Sequence, residues 1–122
     1  MLFVCYPKCG TCQKAKKWLD AQSIAYTERL IHQDNPAYEE LKDWQQRSGL
    51  PLKKFFNTSG LLYKSMQLKD KLPQMSEEEQ LRLLATDGML VKRPILVLDT
   101  EDSPSVLVGF KEAEWSAALT EK

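Results

Sequence analysis

The residues best suited to chemistry stand near the start of the chain, where Cys9-Gly10-Thr11-Cys12 follows the apolar run Met1-Leu2-Phe3-Val4-Cys5-Tyr6 and precedes the helical pattern Gln13-Lys14-Ala15-Lys16-Lys17-Trp18-Leu19. Cysteines three apart at a strand-to-helix junction meet within one helical turn. Unpaired backbone N–H groups and the helix dipole there stabilise a thiolate at the first of them. The spacing therefore points to thiol–disulfide exchange, with Cys9 as the nucleophile and Cys12, one turn inside, as the resolving thiol. Lys8 adds positive potential beside Cys9, Gly10 lets a substrate or another backbone approach closely, and Thr11 completes the stretch that would bind an anion or position the thiolate.

Two other readings of the cysteines are open. Zinc takes four ligands, and Cys5, Cys9, Cys12 and the single histidine His32 supply that number. Against zinc, Cys5 falls mid-strand and no second closely spaced pair exists, so no metal is expected. The third reading is a set of inert core thiols, because free cysteine packs as a small hydrophobe. Cys5 fits that role, and His32 reads as a loop residue.

The 122 residues are 43% hydrophobic, enough for one domain over 1–122 that needs neither disulfide staples nor metal. Seventeen basic residues balance seventeen acidic ones, so no overall field recruits nucleic acid or an anionic membrane. No basic leader precedes a cleavable apolar stretch, and no apolar run approaches the ~20 residues of a membrane span. The expectation is a cytoplasmic monomer with no bound cofactor, in a compartment where a lone cysteine pair is catalytic or regulatory rather than structural.

Several elements must position the pair. Residues 2–6 read as a buried strand closed by Pro7, and an amphipathic helix of three to four turns runs from Cys9 with Cys12, Ala15, Trp18, Leu19 and Gln22 on one stripe. Alternation over residues 23–30 gives a second strand, parallel to the first through a right-handed crossover. Residues 32–90 read as a helical insertion. Asn35-Pro36 opens a helix to Arg47 with Gly49 past its end, Phe55 to Gly60 form a turn, and Ser76 caps a helix that stops at Asp87-Gly88. Ile95 to Leu98 and Val106 to Gly109 form a hairpin around a polar turn, before a last helix that turns Ala113, Trp115, Ala118 and Leu119 inward. Trp18, Trp44 and Trp115 fall on apolar stripes. The order βαβ, helices, ββα describes an α/β fold with a thioredoxin-like mixed sheet and a helical insertion between its halves. In such folds the strand facing the active cysteines commonly begins with a cis-proline. Pro94 is that candidate, and Arg93 beside it would bind an anion or position the thiolate through its planar fork of donors.

Tyr6-Pro7-Lys8-Cys9-Gly10-Thr11-Cys12, Phe56-Asn57-Thr58-Ser59-Gly60, Lys92-Arg93-Pro94-Ile95 and Val108-Gly109-Phe110-Lys111 together resemble the arsenate reductase and Spx family, in its order and spacing over essentially the whole chain. The resemblance implies a thioredoxin-like fold and a thiol-dependent oxidoreductase served by glutathione, glutaredoxin or thioredoxin as electron donor. Arsenate reductases of the family carry Gly-Thr-Ser after a single motif cysteine, and Asn-Thr-Arg-Gly where this chain has Asn57-Thr58-Ser59-Gly60. With Cys12 in place of that serine and Ser59 in place of that arginine, arsenate reduction is expected to be weak. Lys111 does not reproduce an arginine's bidentate grip. Spx regulators share the two-cysteine motif and the arginine before proline. That branch implies a redox switch acting through a protein partner, the RNA polymerase alpha subunit, with Gly49 at the contact surface.

Overall fold

The structure is a computed structural model and describes residues 1–100 and 104–120. Four strands form one mixed sheet in the order β2-β1-β3-β4, with β1 at Leu2–Cys5, β2 at Thr27–Leu30, β3 at Ile95–Val97 and β4 at Val106–Val108. β1 pairs parallel with β2 and antiparallel with β3, and β3 pairs antiparallel with β4. This is the thioredoxin-like mixed sheet predicted by the order of segments. The turn of the hairpin, 101–103, lies outside the described residues.

The two-residue period of the strands splits the core into layers. Phe3 and Cys5 of β1, Leu96 of β3 and Leu107 of β4 face one side, where α1 (Gly10–Ala21) lays down Cys12, Ala15 and Leu19 and α6 (Glu112–Thr120) lays down Trp115. Val4, Ile95 and Val106 face the other side. There they meet α2 (Tyr38–Ser48) and α5 (Glu77–Leu84) through Leu41, Trp44, Leu81 and Leu84, together with Phe55 and Phe56. Two short helices, α3 (Leu61–Ser65) and α4 (Leu68–Lys71), complete the stretch between β2 and β3. The Cys5 end of β1 is thus held between two buried apolar layers, each Phe- or Leu-sized side chain contributing about 1.5–3 kcal/mol on burial.

Local departures from the sequence reading have physical causes. The second strand begins at Thr27 rather than at 23, because the chain first has to leave α1. Ser23 takes the left-handed conformation (φ 56°), and the N–H groups of Ser23 and Ile24 donate to the carbonyls of Asp20 and Leu19 at 3.1 Å each. That paired closure ends a helix most often with glycine, and here serine fills the position. Asn35 does not open α2. Its side-chain amide donates to the Ala85 carbonyl at 2.8 Å, and the helix starts three residues later, where Glu40 accepts the Ala37 N–H at 3.0 Å. Gly49 ends α2 as expected of a C-terminal glycine, with φ 70° and its N–H donating to Gln45. α5 opens with the Ser76–Glu79 reciprocal cap and stops at Leu84, short of Asp87-Gly88. Ala113 is exposed rather than inward, so α6 is anchored mainly by Trp115.

Candidate active site

The loop after β1 is built so that the first cysteine becomes the helix cap. The Cys9 N–H closes a turn onto the Tyr6 carbonyl at 3.1 Å, and Gln13 reaches back from α1 to the Pro7 carbonyl at 2.9 Å. Cys9 itself has extended backbone angles and caps α1, its Sγ accepting the Cys12 N–H at 3.4 Å. One of the orphan amides of a helix start is therefore spent on sulfur. Cys12 lies inside, 3% exposed, with its Sγ accepting the Tyr6 N–H at 3.4 Å. Cys9 is half-buried, and all three cysteines are free thiols.

Arg93 stands just before β3, whose first residue pairs with Val4 near the end of β1. The Arg93–Pro94 peptide bond is cis. The guanidinium lies near enough to Cys9 for its charge to favour the thiolate, and its Cζ stands 4.9 Å from the centroid of the Tyr6 ring. One of its nitrogens, Nη1, is buried with no hydrogen-bond partner among the described residues, which leaves a donor for an anion or for a substrate oxygen.

These contacts separate the two thiols. Burial works against a Cys9 thiolate, but the Cys12 N–H, the Cys12 thiol and the Arg93 guanidinium outweigh it, so the Cys9 pKa is lowered. Burial pushes the Cys12 thiol up to about 12, with the Tyr6 N–H opposing and the neighbouring Cys9 adding to the rise. The pair is polarised into one thiolate-prone sulfur at the surface and one protonated sulfur beneath it. Cys5, also buried, is raised to about 11 by burial first and then by Glu28, to whose carboxylate its thiol donates at 3.7 Å.

The other residues singled out in the sequence take up distinct places. Gly10 opens α1, and a Cβ there would meet nothing within 4 Å, so the approach to Cys9 is unobstructed. Lys8 and Thr11 are exposed on either side of Cys9. Lys111 and Thr11 line a shared cleft, whereas Ser59 sits exposed in the turn after Asn57. His32 stacks edge-on against the Tyr6 ring with centroids 5.0 Å apart. Among the described residues no group of three His, Cys, Asp or Glu side chains could hold a metal ion. None of the described helices is long and apolar enough to cross a membrane. Tyr6 and Glu28 were not identified from the sequence alone. The first acts through its backbone N–H and ring, the second through a parallel register that brings it opposite Phe3.

Residues 5–118 match the ArsC family. The chain belongs to this family. Among curated relatives, the ArsC-family chain is 54% identical over 115 residues to YusI of Bacillus subtilis strain 168, a protein of uncharacterised function, covering 94% of each. It is 31% identical over 114 residues to the regulatory protein MgsR of the same organism, covering 93% of this chain and 86% of that one. Among solved structures, a crystal structure of a protein described as related to the ArsC family, from Bacteroides fragilis, superposes with a TM-score of 0.89 at 61% identity, covering 94% and 93% of the two chains. The ArsC-family fold thus carries relatives named as regulators as well as relatives named by the family alone.

The position of Arg93 gives a pH signature. A thiol of ordinary pKa gains alkylation rate with pH until it is fully ionised, and a lowered pKa brings that plateau to lower pH. Arg93→Ala should shift the Cys9 iodoacetamide profile to higher pH and slow labelling at pH 7 by about tenfold, because an ionised hydrogen-bond donor is lost from the thiolate. Mass-resolved alkylation from pH 5 to 10 checks this, and an unmoved profile would remove Arg93 from the site.

Proposed function

We propose that this protein is a thiol–disulfide oxidoreductase in which Cys9 attacks and Cys12 resolves. The observation that carries the reading is the polarised pair: a half-exposed Cys9 held toward thiolate by Cys12 and Arg93, above a buried Cys12 held as thiol. In the first step the Cys9 thiolate attacks one sulfur of a substrate disulfide, forming a Cys9–substrate mixed disulfide and releasing the other sulfur as a thiolate. Cys12 then gives up its proton and attacks the Cys9 sulfur, releasing the second substrate thiol and leaving a Cys9–Cys12 disulfide. The substrate is reduced by two electrons and the protein oxidised by two. Part of what raises Cys12 is the neighbouring Cys9, so conversion of that thiolate to a disulfide lowers the barrier to the second deprotonation. An external thiol, glutathione or a glutaredoxin or thioredoxin, would return the pair to the reduced state, which fits a reducing, cytoplasmic setting.

Arsenate reduction is the weaker fit for the same residues. Oxyanion chemistry requires preorganised cations around the developing charge, and one missing donor of this kind lowers turnover by about 10²–10³. Arg93 supplies one guanidinium, while Ser59 is uncharged and exposed. Cys12 can also close on Cys9 before an external thiol intercepts it. Multiple turnover of a small disulfide with glutathione and glutaredoxin, insensitive to added arsenate, is the expected result. Robust arsenate turnover that Arg93→Ala abolishes would replace the reading.

The kinship with MgsR, a regulatory protein by name, supports a second reading; in the form the Spx resemblance implies, the same pair is a redox switch and the partner is RNA polymerase through its alpha subunit. A stable complex with the carboxy-terminal domain of that polymerase component, altered by oxidation of Cys9 and Cys12 and formed without multiple turnover, would favour it.

A further inference from the structure

The chain is neutral overall, yet its lysines are not evenly spread. A cleft of about 610 Å³ is lined by Thr11, Lys53, Lys54, Lys92 and Lys111, with Glu114 the one acidic residue on its wall. These cations come from three places. Lys53 and Lys54 belong to the 3-10 turn Leu52–Phe55, Lys92 precedes Arg93, and Lys111 precedes α6. Among the described residues none of the four is in an ion pair, whereas Lys16 on α1 pairs with Glu28 at 2.9 Å. Phe56 and Phe110 give the cleft an apolar part.

The cleft borders the first turn of α1, the helix that Cys9 caps. Thr11 is two residues beyond Cys9. On the other wall the Gly109 N–H donates to the Pro94 carbonyl at 2.8 Å, tying that wall to the residue after Arg93. Lys92 crosses Gly109 closely enough that a Cβ there would stand 3.6 Å from its Cε. A group joined to the sulfur that exchanges with Cys9 therefore has a short path into a site with four cations and one anion.

We infer that this cleft receives an acidic polypeptide segment flanking the reactive cysteine of a disulfide-bonded protein substrate. The inference rests on the exchange chemistry proposed above and names the substrate class for it. Four unpaired lysines spaced across three chain segments exceed what the carboxylates of a small thiol would neutralise, and they match a run of Asp and Glu side chains. Opposed charge patches of this kind raise association rates by about 10–10³-fold at low salt, and screening removes the gain.

The test uses the full chain and synthetic octapeptides, each with one central cysteine held as a mixed disulfide with 2-thiopyridine. Attack by Cys9 on the peptide sulfur releases pyridine-2-thione, whose absorbance reports the rate. The acidic-flanked peptide is expected to react about tenfold faster than a Ser/Gly-flanked one at low ionic strength, and within about twofold at 0.5 M salt. The Lys53→Glu/Lys54→Glu variant should reverse that preference. Lys42→Glu, on α2 outside the cleft, should keep it. Equal rates for the acidic and neutral peptides would overturn the inference while leaving Cys9 exchange intact, whereas no release from either peptide would overturn the exchange reading itself. The pyridyl disulfide of glutathione is the small-molecule arm. Acceleration equal to that of the acidic peptide, lost in the same charge-reversal variant, would overturn the polypeptide occupant in favour of a small anionic thiol.

Discussion

Cys9→Ser is expected to lower disulfide exchange by about 10³-fold or more at pH 7, to the background of the assay. A serine hydroxyl does not ionise near neutrality, and neither remaining cysteine can replace the lost thiolate. Cys12, raised to about 12, would be ionised in only about one molecule in 10⁵ at pH 7. Removing Cys9 takes away its hydrogen bond and its charge from that rise but leaves burial, the largest cause. Cys5 is buried and raised to about 11, since burial and the Glu28 carboxylate outweigh the nearby Lys16 ammonium. Cys12→Ser should behave differently, keeping the first step and accumulating the mixed disulfide on Cys9, because the attacking sulfur is present and the resolving one is not. Stopped-flow release from a pyridyl disulfide, with intact-mass detection of the adduct, separates the two variants. Exchange by Cys9→Ser within tenfold of the unmodified chain, or an adduct mapped to Cys5, would assign the nucleophile elsewhere.

The parts of this site that were legible in the sequence are those made by neighbours along the chain. A strand running into a helix at Pro7, with cysteines one turn apart, prescribes both a cap position for Cys9 and an interior position for Cys12. The hairpin after Pro94 could be read for the same reason, since its alternation is local and strong. What long-range geometry supplies was not legible. Nothing at position 28 marks Glu28 as a neighbour of Cys5 until the parallel register sets it opposite Phe3. Asn35-Pro36 carries the ordinary signature of a helix start, but the Asn35 amide is claimed by Ala85, fifty residues on. The lysine cleft was hidden by the charge balance itself. Seventeen bases against seventeen acids sum to zero whether they are mixed or segregated, and only the fold brings Lys53, Lys54, Lys92 and Lys111 to one wall system.

Gly88 shows the same limit and carries the largest expected effect on stability. In the sequence Asp87-Gly88 reads as a helix stop, yet α5 has already ended at Leu84. Glycine is needed at 88 because the backbone passes directly against the exit of β2. A Cβ there would stand 1.9 Å from the Ile31 carbonyl oxygen, 2.8 Å from its carbon and 3.1 Å from the Asn35 Cβ. Ile31 cannot readily give way, since its N–H donates to the Cys5 carbonyl at 2.8 Å and continues the β1–β2 pairing. Gly88 is held from its own side as well, its carbonyl accepting the Val91 N–H at 3.1 Å. Gly88→Ala should therefore destabilise the fold by about 3–5 kcal/mol, a large share of the ~5–15 kcal/mol by which a domain is stable. Gly10→Ala is the matched control, because a Cβ there meets nothing within 4 Å and alanine favours the helix; its effect should stay within about 1 kcal/mol. Urea unfolding of the two variants beside the unmodified chain reads the difference. A Gly88→Ala midpoint as high as that of Gly10→Ala would mean that the 88–91 turn does not rest on Ile31.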